Sequence, residues 1–259
     1  MTMEKKYKLL VDDTITVSGR TLYRIEALRD FADVRKGDKG GYVESEDNLS
    51  HVGNCWVSGD AWVYGNAVVY GNAVVYDNAE VYGSAKVYGN AVVCDNAEVY
   101  GTAVVYGNAE VCDNAVVCDS AKVRGNAVVC GNAVVYGNAV VYGNAVVCDS
   151  AKVCGNTVVC DNAEVYGNAV VYGYAEVCDN AVVYGSADYY VGKNIWSSGR
   201  YFTYTRSNRM WKVGCFYGTG EELIKKAYQD SEVSGREYKR VVEYVEAMYA
   251  DLEKDNSKN

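Results

Sequence analysis

Three kinds of side chain in this 259-residue sequence have the chemistry to act on something: a single histidine, His51, ten cysteines, and aspartates that recur at a fixed interval. Cys94, Cys112, Cys130 and Cys148 are spaced 18 residues apart, and Asp77, Asp95, Asp113 and Asp149 keep the same interval with Gly131 filling the gap. A histidine is a general base or a zinc ligand, a thiolate row is a soft-metal ligand set, and a carboxylate row takes up calcium weakly. Each has a plainer reading. An isolated His without partners is seldom catalytic, and one imidazole cannot build a three-His zinc site. Tetrahedral zinc wants four ligands converging on a point, which a straight column does not supply, so the cysteines read as small apolar residues. Neighbouring thiols in register lie within disulfide reach, but the geometry on a flat face is poor. The aspartates read as turn formers standing in for Gly. On this reading the chain has no catalytic residue, no metal site and no cofactor.

What positions these columns is a repeat. The stretch "VVYGNAVVYDNAEVYGSAKVYGNA", residues 68–91, is one six-residue phrase written over and over. Aligned from Val57, 22 uninterrupted hexads run to Asp188; each begins with Val, and the fifth position is Ala in all but one, where Thr157 replaces it. The third position is Gly or Asp and the fourth usually Asn or Ser, residues that tolerate left-handed backbone angles. Each hexad is therefore one short strand and one corner. A six-residue period fits neither a helix nor a hairpin, and a turn in every unit indicates a solenoid. The first and fifth positions alternate inward while the second and sixth face out.

The phrases "VYGNAV" and "VCDNAE" carry a resemblance to the hexapeptide-repeat superfamily, whose motif is an aliphatic residue followed four places later by a small one. The resemblance implies a mainly β chain: a left-handed parallel β-helix with three hexads per triangular coil, hence about seven coils in residues 57–188. It also implies where activity would lie. Acyltransferases of that superfamily use a His beside a loop that breaks the solenoid, and its carbonic anhydrase holds zinc with three His. Here no loop interrupts the repeat, and His51 falls in the imperfect hexad "HVGNCW" at the inward first position. The reading is therefore not an enzyme.

The flanks differ from the repeat. Residues 1–50 read as a small N-terminal β cap, 51–188 as the β-helix, and 189–259 as a C-terminal α+β cap of a β-hairpin and two helices. Capping boxes are expected at Thr219 with Glu222 and at Ser234 with Glu237, and an apolar stripe at Tyr238, Val241, Val242, Val245, Met248, Tyr249 and Leu252. The segments "RIEALRDFADVRKGDKGGYVESEDNLSHVGNCWVSGDAWVYGNA" and "GCFYGTGEEL" resemble prophage-encoded hexapeptide-repeat proteins, which implies a phage or mobile-element origin.

Residues 57–188 carry 4 basic and 14 acidic groups, so the net charge of −9 resides in the repeat. An acidic surface repels nucleic acid and anionic membrane, so neither is expected as a direct partner. The opening "MTMEKKYKLLVDD" lacks a secretory apolar run, and a cytoplasmic location is expected. Position two is Tyr twelve times and Cys eight times. Tyr64, Tyr82 and Tyr100 are expected to stack on one face and Tyr70, Tyr88 and Tyr106 on another. Val74, Val92, Val128 and Val146 are expected to form an apolar row on the third, beside the Cys column. These residues are the candidate interaction surface. The function this supports is a non-enzymatic, phage-derived scaffold or protein-interaction solenoid with an unidentified protein partner, assembled as a homo-oligomer, trimer ahead of dimer. The alternatives are a phage inhibitor that engages a host nucleic-acid or defence protein through acidic faces, and a divergent acyltransferase.

Overall fold

The computed structural model describes residues 4–256. The chain opens with β1 (Tyr7–Val17) and β2 (Arg20–Ala27), an antiparallel hairpin turned at Ser18 and Gly19, which both have positive φ. β3 (Lys39–Val43) pairs antiparallel with β2 on one edge and parallel with Trp62–Val63 on the other. The switch of direction at β3 converts a hairpin into the template for a parallel stack.

From β3 onward the protein is a parallel β-solenoid of about eight turns, with strands of two to five residues on three sheets. The regular hexads make seven of these turns. The eighth comes from β3 and Leu49–Gly53, where the repeat is imperfect, together with Trp56–Val57, the strand of the first regular hexad. At about 4.8 Å per turn the stack is roughly 38 Å long. The alternation read from the hexads is present throughout. Every first-position Val from Val57 to Val183, and every fifth-position Ala from Ala61 to Ala181, is fully buried. Thr157 is buried too, and its hydroxyl donates to the Cys154 carbonyl at 2.9 Å, so the polar group that replaces Ala is satisfied.

The corners have one conformation. From Gly59 to Asp179 the third position is left-handed whether Gly or Asp, with φ of 57 to 60° at Asp77, Asp95, Asp113, Asp119, Asp149, Asp161 and Asp179; Gly185 in the last hexad is not. The aspartates also tie turns together. Asp95 accepts the Asp113 N–H at 3.1 Å, Asp113 accepts the Gly131 N–H at 2.9 Å, and Asp149 accepts the Gly167 N–H at 3.0 Å. Turn forming is thus accompanied by a bond that Gly cannot make.

Two details depart from the hexad reading. Leu49, not His51, occupies the inward first position, in register with Val69, and two extra residues bulge out before Gly53 meets Gly71. The last hexad also leaves the stack. Ala187 is exposed, and Asp188 folds back to accept the N–H groups of Tyr184 and Gly185 at 2.9 and 2.7 Å.

A four-stranded antiparallel sheet (Tyr189–Lys193, Tyr201–Thr205, Met210–Val213, Phe216–Gly218) then closes the open end. It satisfies edge groups of the final turn. The Thr203 hydroxyl accepts the Glu176 N–H at 2.9 Å, the Ser207 hydroxyl accepts the Val182 N–H at 2.8 Å, and the Tyr189 hydroxyl bridges the backbone of Val170 and Tyr172. A parallel stack with bare edges would recruit further strands, and this plug removes that template. Helices α1 (Gly220–Asp230) and α2 (Glu232–Asn256) pack on this sheet and form a second core with Phe202, Tyr204 and Trp211. The Thr219–Glu222 capping box is formed. The one expected at Ser234 is not: α2 starts two residues earlier, and Ser231 supplies the hydroxyl that accepts the Ser234 N–H at 3.1 Å. Tyr238, Val242, Val245 and Tyr249 are buried in the helical core, whereas Leu252 stands exposed.

Candidate interaction surfaces

The sixth-position side chains form one row per face, and the second-position side chains form another beside each corner. In-register pairing stacks like upon like. Rings repeat at the turn spacing, which lies within the range for favourable offset stacking. Tyr64, Tyr82 and Tyr100 stack with centroids 5.1 and 4.9 Å apart and planes within 8°. Tyr70, Tyr88 and Tyr106 do the same at 4.6 and 5.0 Å. Arg124 ends the second ladder, and its guanidinium lies 4.4 Å from the Tyr142 ring, a cation–π contact that carries the stack on. The Tyr82 hydroxyl donates to Glu98 at 3.1 Å. Burial and this carboxylate together push the Tyr82 phenol well above its ordinary pKa. The Tyr100 phenol is pushed up to about 12, first by its hydrogen bond with Cys118 and then by burial.

The third face carries the predicted valine row. Val74, Val92, Val128 and Val146 lie on one sheet and are each partly exposed, but Glu110 stands in register between Val92 and Val128. Glu164 follows Val146. The row is therefore two apolar pairs flanking a carboxylate rather than an unbroken strip. The charges on the other faces are similar in density, with Glu80, Glu98 and Lys152 on one and Lys86, Lys122 and Glu176 on the other. Burial and the neighbouring Glu98 hold the Glu80 carboxyl above its usual range. The C-terminal helices pack on their own sheet and leave the valine face uncovered.

Beside that row run Cys94, Cys112, Cys130 and Cys148, all free. Burial raises the pKa of the Cys94 and Cys148 thiols to about 11 and of Cys112 to about 12, with negative neighbours adding to the shift. Elsewhere one pair is bonded: Cys160 and Cys178, one turn apart on another corner, form a disulfide with Cα atoms 4.6 Å apart. The expectation of thiols alone is corrected at this pair. The turn spacing already holds Cα atoms at the short end of the disulfide range, and the flat face does not prevent closure.

Sequence reasoning missed a further column. Asn72, Asn90, Asn108, Asn126, Asn144 and Asn162 each donate amide to the carbonyl of the Asn one turn on, ending at Asn180, at 2.9 to 3.2 Å, an Asn ladder along one corner. The signal was present, since these Asn share the fourth position at the turn interval. Such ladders add to the stability of stacked parallel strands.

His51 is held by the N-terminal cap. Its Nδ1 accepts the Lys6 N–H at 3.2 Å, its ring stacks on Tyr7 at 4.3 Å, and Nε2 faces a Glu46 oxygen at 3.4 Å. Both ring nitrogens are engaged. Beneath it Lys6 is fully buried, donating to the Cys55 carbonyl at 2.6 Å and approaching its Sγ at 3.3 Å, and burial lowers the lysine pKa. A concavity of about 840 Å³ lies as an open groove beside the first tyrosine ladder. Two of its charged members pair with each other, Arg20 with Glu44 at 2.7 Å, and Glu44 also accepts the Gly65 N–H, while Asp47 stands exposed at the rim.

Two stretches, residues 61–77 and 133–149, match a family model described as YdcK Beta solenoid repeat. Each stretch is close to one full turn and starts on a fifth-position alanine, Ala61 and Ala133, so the similarity follows the same phase of the coil. No curated protein matches the chain. Among the described residues no helix is long and apolar enough to cross a membrane.

Proposed function

We propose that this protein is a non-enzymatic scaffold whose solenoid faces bind protein, first of all other copies of the same chain. The observation that carries this reading is the valine face. Two pairs of partly exposed valines sit on a flat, in-register sheet, and the chain's own helices pack elsewhere. A flat apolar surface that its own chain leaves uncovered is the usual mark of an interface. Glu110 in the middle of the row sets the register, because a copy docking there must offset its own Glu110 or leave two carboxylates opposed. The assembly is a closed homo-oligomer, trimer or dimer. The prophage origin implied by the sequence resemblance belongs to the same proposal, as does a cytoplasmic location.

What supports a non-catalytic role is the use already made of the reactive groups. The imidazole of His51 is committed to the cap, and the groove beside Tyr64 is open, with its Arg20 and Glu44 paired to each other. Light scattering on the purified protein tests the assembly. An oligomer at micromolar concentration that Val92→Lys and Val128→Lys convert to a monomer supports the reading, and a monomer unaffected by either change refutes it.

A further inference from the structure

The geometry points to a soft-metal site. We propose that the Cys94–Cys112–Cys130–Cys148 column binds a monovalent d10 cation, Cu(I) or Ag(I), between consecutive thiols, with Asp95 and Asp113 beside the sulfurs. The spacing is the argument. In Cys94–Asp95–Cys112, and again in Cys112–Asp113–Cys130, the two sulfurs and a carboxylate oxygen all lie within 4.8 Å of one another. A metal–thiolate bond is about 2.3 Å, so two sulfurs on opposite sides of a two-coordinate ion are about 4.6 Å apart. The repeat distance of a parallel stack is about 4.8 Å. Strand pairing therefore places successive thiols at the separation a linear S–M–S unit requires, with small side-chain rotations enough to seat the ion. A column fails for tetrahedral zinc because four ligands cannot converge, but a two-coordinate ion asks only for a neighbour above and a neighbour below.

The carboxylates are held in place. Asp95 is fixed by the Asp113 N–H at 3.1 Å and Asp113 by the Gly131 N–H at 2.9 Å, so each stays beside its thiol pair. The Cys94 Sγ is 3.5 Å from Asp95 Oδ2. Fixed negative charge favours a cation, and soft sulfur selects Cu(I) or Ag(I) over calcium or magnesium. On binding, each thiol releases its proton to solvent as a metal–sulfur bond forms, and no electrons change hands. The two groups share Cys112, so four thiols in a row hold about two ions as the separate pairs Cys94–Cys112 and Cys130–Cys148, with Asp113 between the pairs.

The other cysteines provide the control. Cys118 and Cys154 share a different column but are separated there by Tyr136, so neither has a thiol one turn away. The experiment is an anaerobic Cu(I) titration of the full chain against bicinchoninate, in a Cys160→Ser/Cys178→Ser background so that the reduced disulfide pair contributes nothing. The parent is expected to take about two Cu(I) per chain. Cys112→Ser/Cys130→Ser leaves Cys94 and Cys148 three turns apart and is expected to lose both ions. Cys118→Ser/Cys154→Ser removes the same number of thiols and is expected to keep them. Copper-edge X-ray absorption is expected to show two or three sulfur neighbours. Melting curves of the metal-free variants confirm that both fold. No binding by the parent against the competitor, retention in the first variant, or equal loss in both overturns the proposal.

Discussion

Val117 and Val116 are adjacent in sequence and opposite in environment, which makes them the sharpest test of the inward and outward assignment. Val117 is fully buried between Val99 and Val135, and Val116 faces out between Glu98 and Val134. Val117→Asp gives up the burial of one valine, about 1.5 to 3 kcal/mol. It also forces a carboxyl into an interior of Val and Ala. Keeping that carboxyl protonated at neutral pH raises its pKa by about three units, which costs about 4 kcal/mol. Together these approach 6 kcal/mol, comparable to the whole stability of many domains. Val116→Asp loses only part of a side chain's burial and sets a second carboxylate opposite Glu98, a penalty of about 1 kcal/mol. Urea unfolding followed by far-ultraviolet circular dichroism reads the difference. Val117→Asp is expected to be unfolded or nearly so, with Val116→Asp within about 2 kcal/mol of the parent. Val117→Thr keeps the shape, adds one buried hydroxyl and is expected to fall between them, at about 1 to 3 kcal/mol. Equal losses in the two aspartate variants would show that the alternation of faces is wrong.

The corner columns give three further expectations. Asn108 makes one ladder bond to each neighbour, from Asn90 at 2.9 Å and to Asn126 at 3.0 Å, so Asn108→Ala is expected to cost about 1 kcal/mol and lower the melting temperature by a few degrees. At Gly143 φ is 78° and an added Cβ would meet the Asp161 backbone N at 2.8 Å, so Gly143→Ala is expected to cost about 2 kcal/mol or more in the same melts, whereas Asp113→Gly is expected to cost less than half of that. Alkali should unfold the protein: Tyr189 and Tyr249 are raised by burial from 10 to about 12, so the folded state keeps protons that the unfolded state releases. Stability is then full below about pH 10 and falls as pH rises towards 12, and denaturant midpoints that stay flat across that window would contradict it.

The division between what could and could not be read from the sequence follows from where the constraint lies. A hexad is a local statement repeated, so phase, burial and corner conformation are legible wherever it holds. The Val and Ala rows fall inside at every turn because a one-residue slip would expose all of them at once. The stacked tyrosines were legible for the same reason, since an 18-residue interval fixes which rings meet. The misreadings sit where the repeat loosens. Around His51 two extra residues shift the frame, and no periodicity marks which residue turns inward; tertiary contacts with Lys6 and Tyr7 decide it. At Ser234 the local pattern of a capping box is present, but Ser231 leaves only a one-residue link after α1, so the second helix starts before that box is reached. The valine row omits Glu110, although the 18-residue interval that separates Val74 from Val92 also sets Glu110 between Val92 and Val128. The disulfide and the thiol column have a common basis. Strand spacing alone brings any two cysteines 18 residues apart to within one bond or one metal ion of each other, and the sequence states that interval without stating which outcome follows.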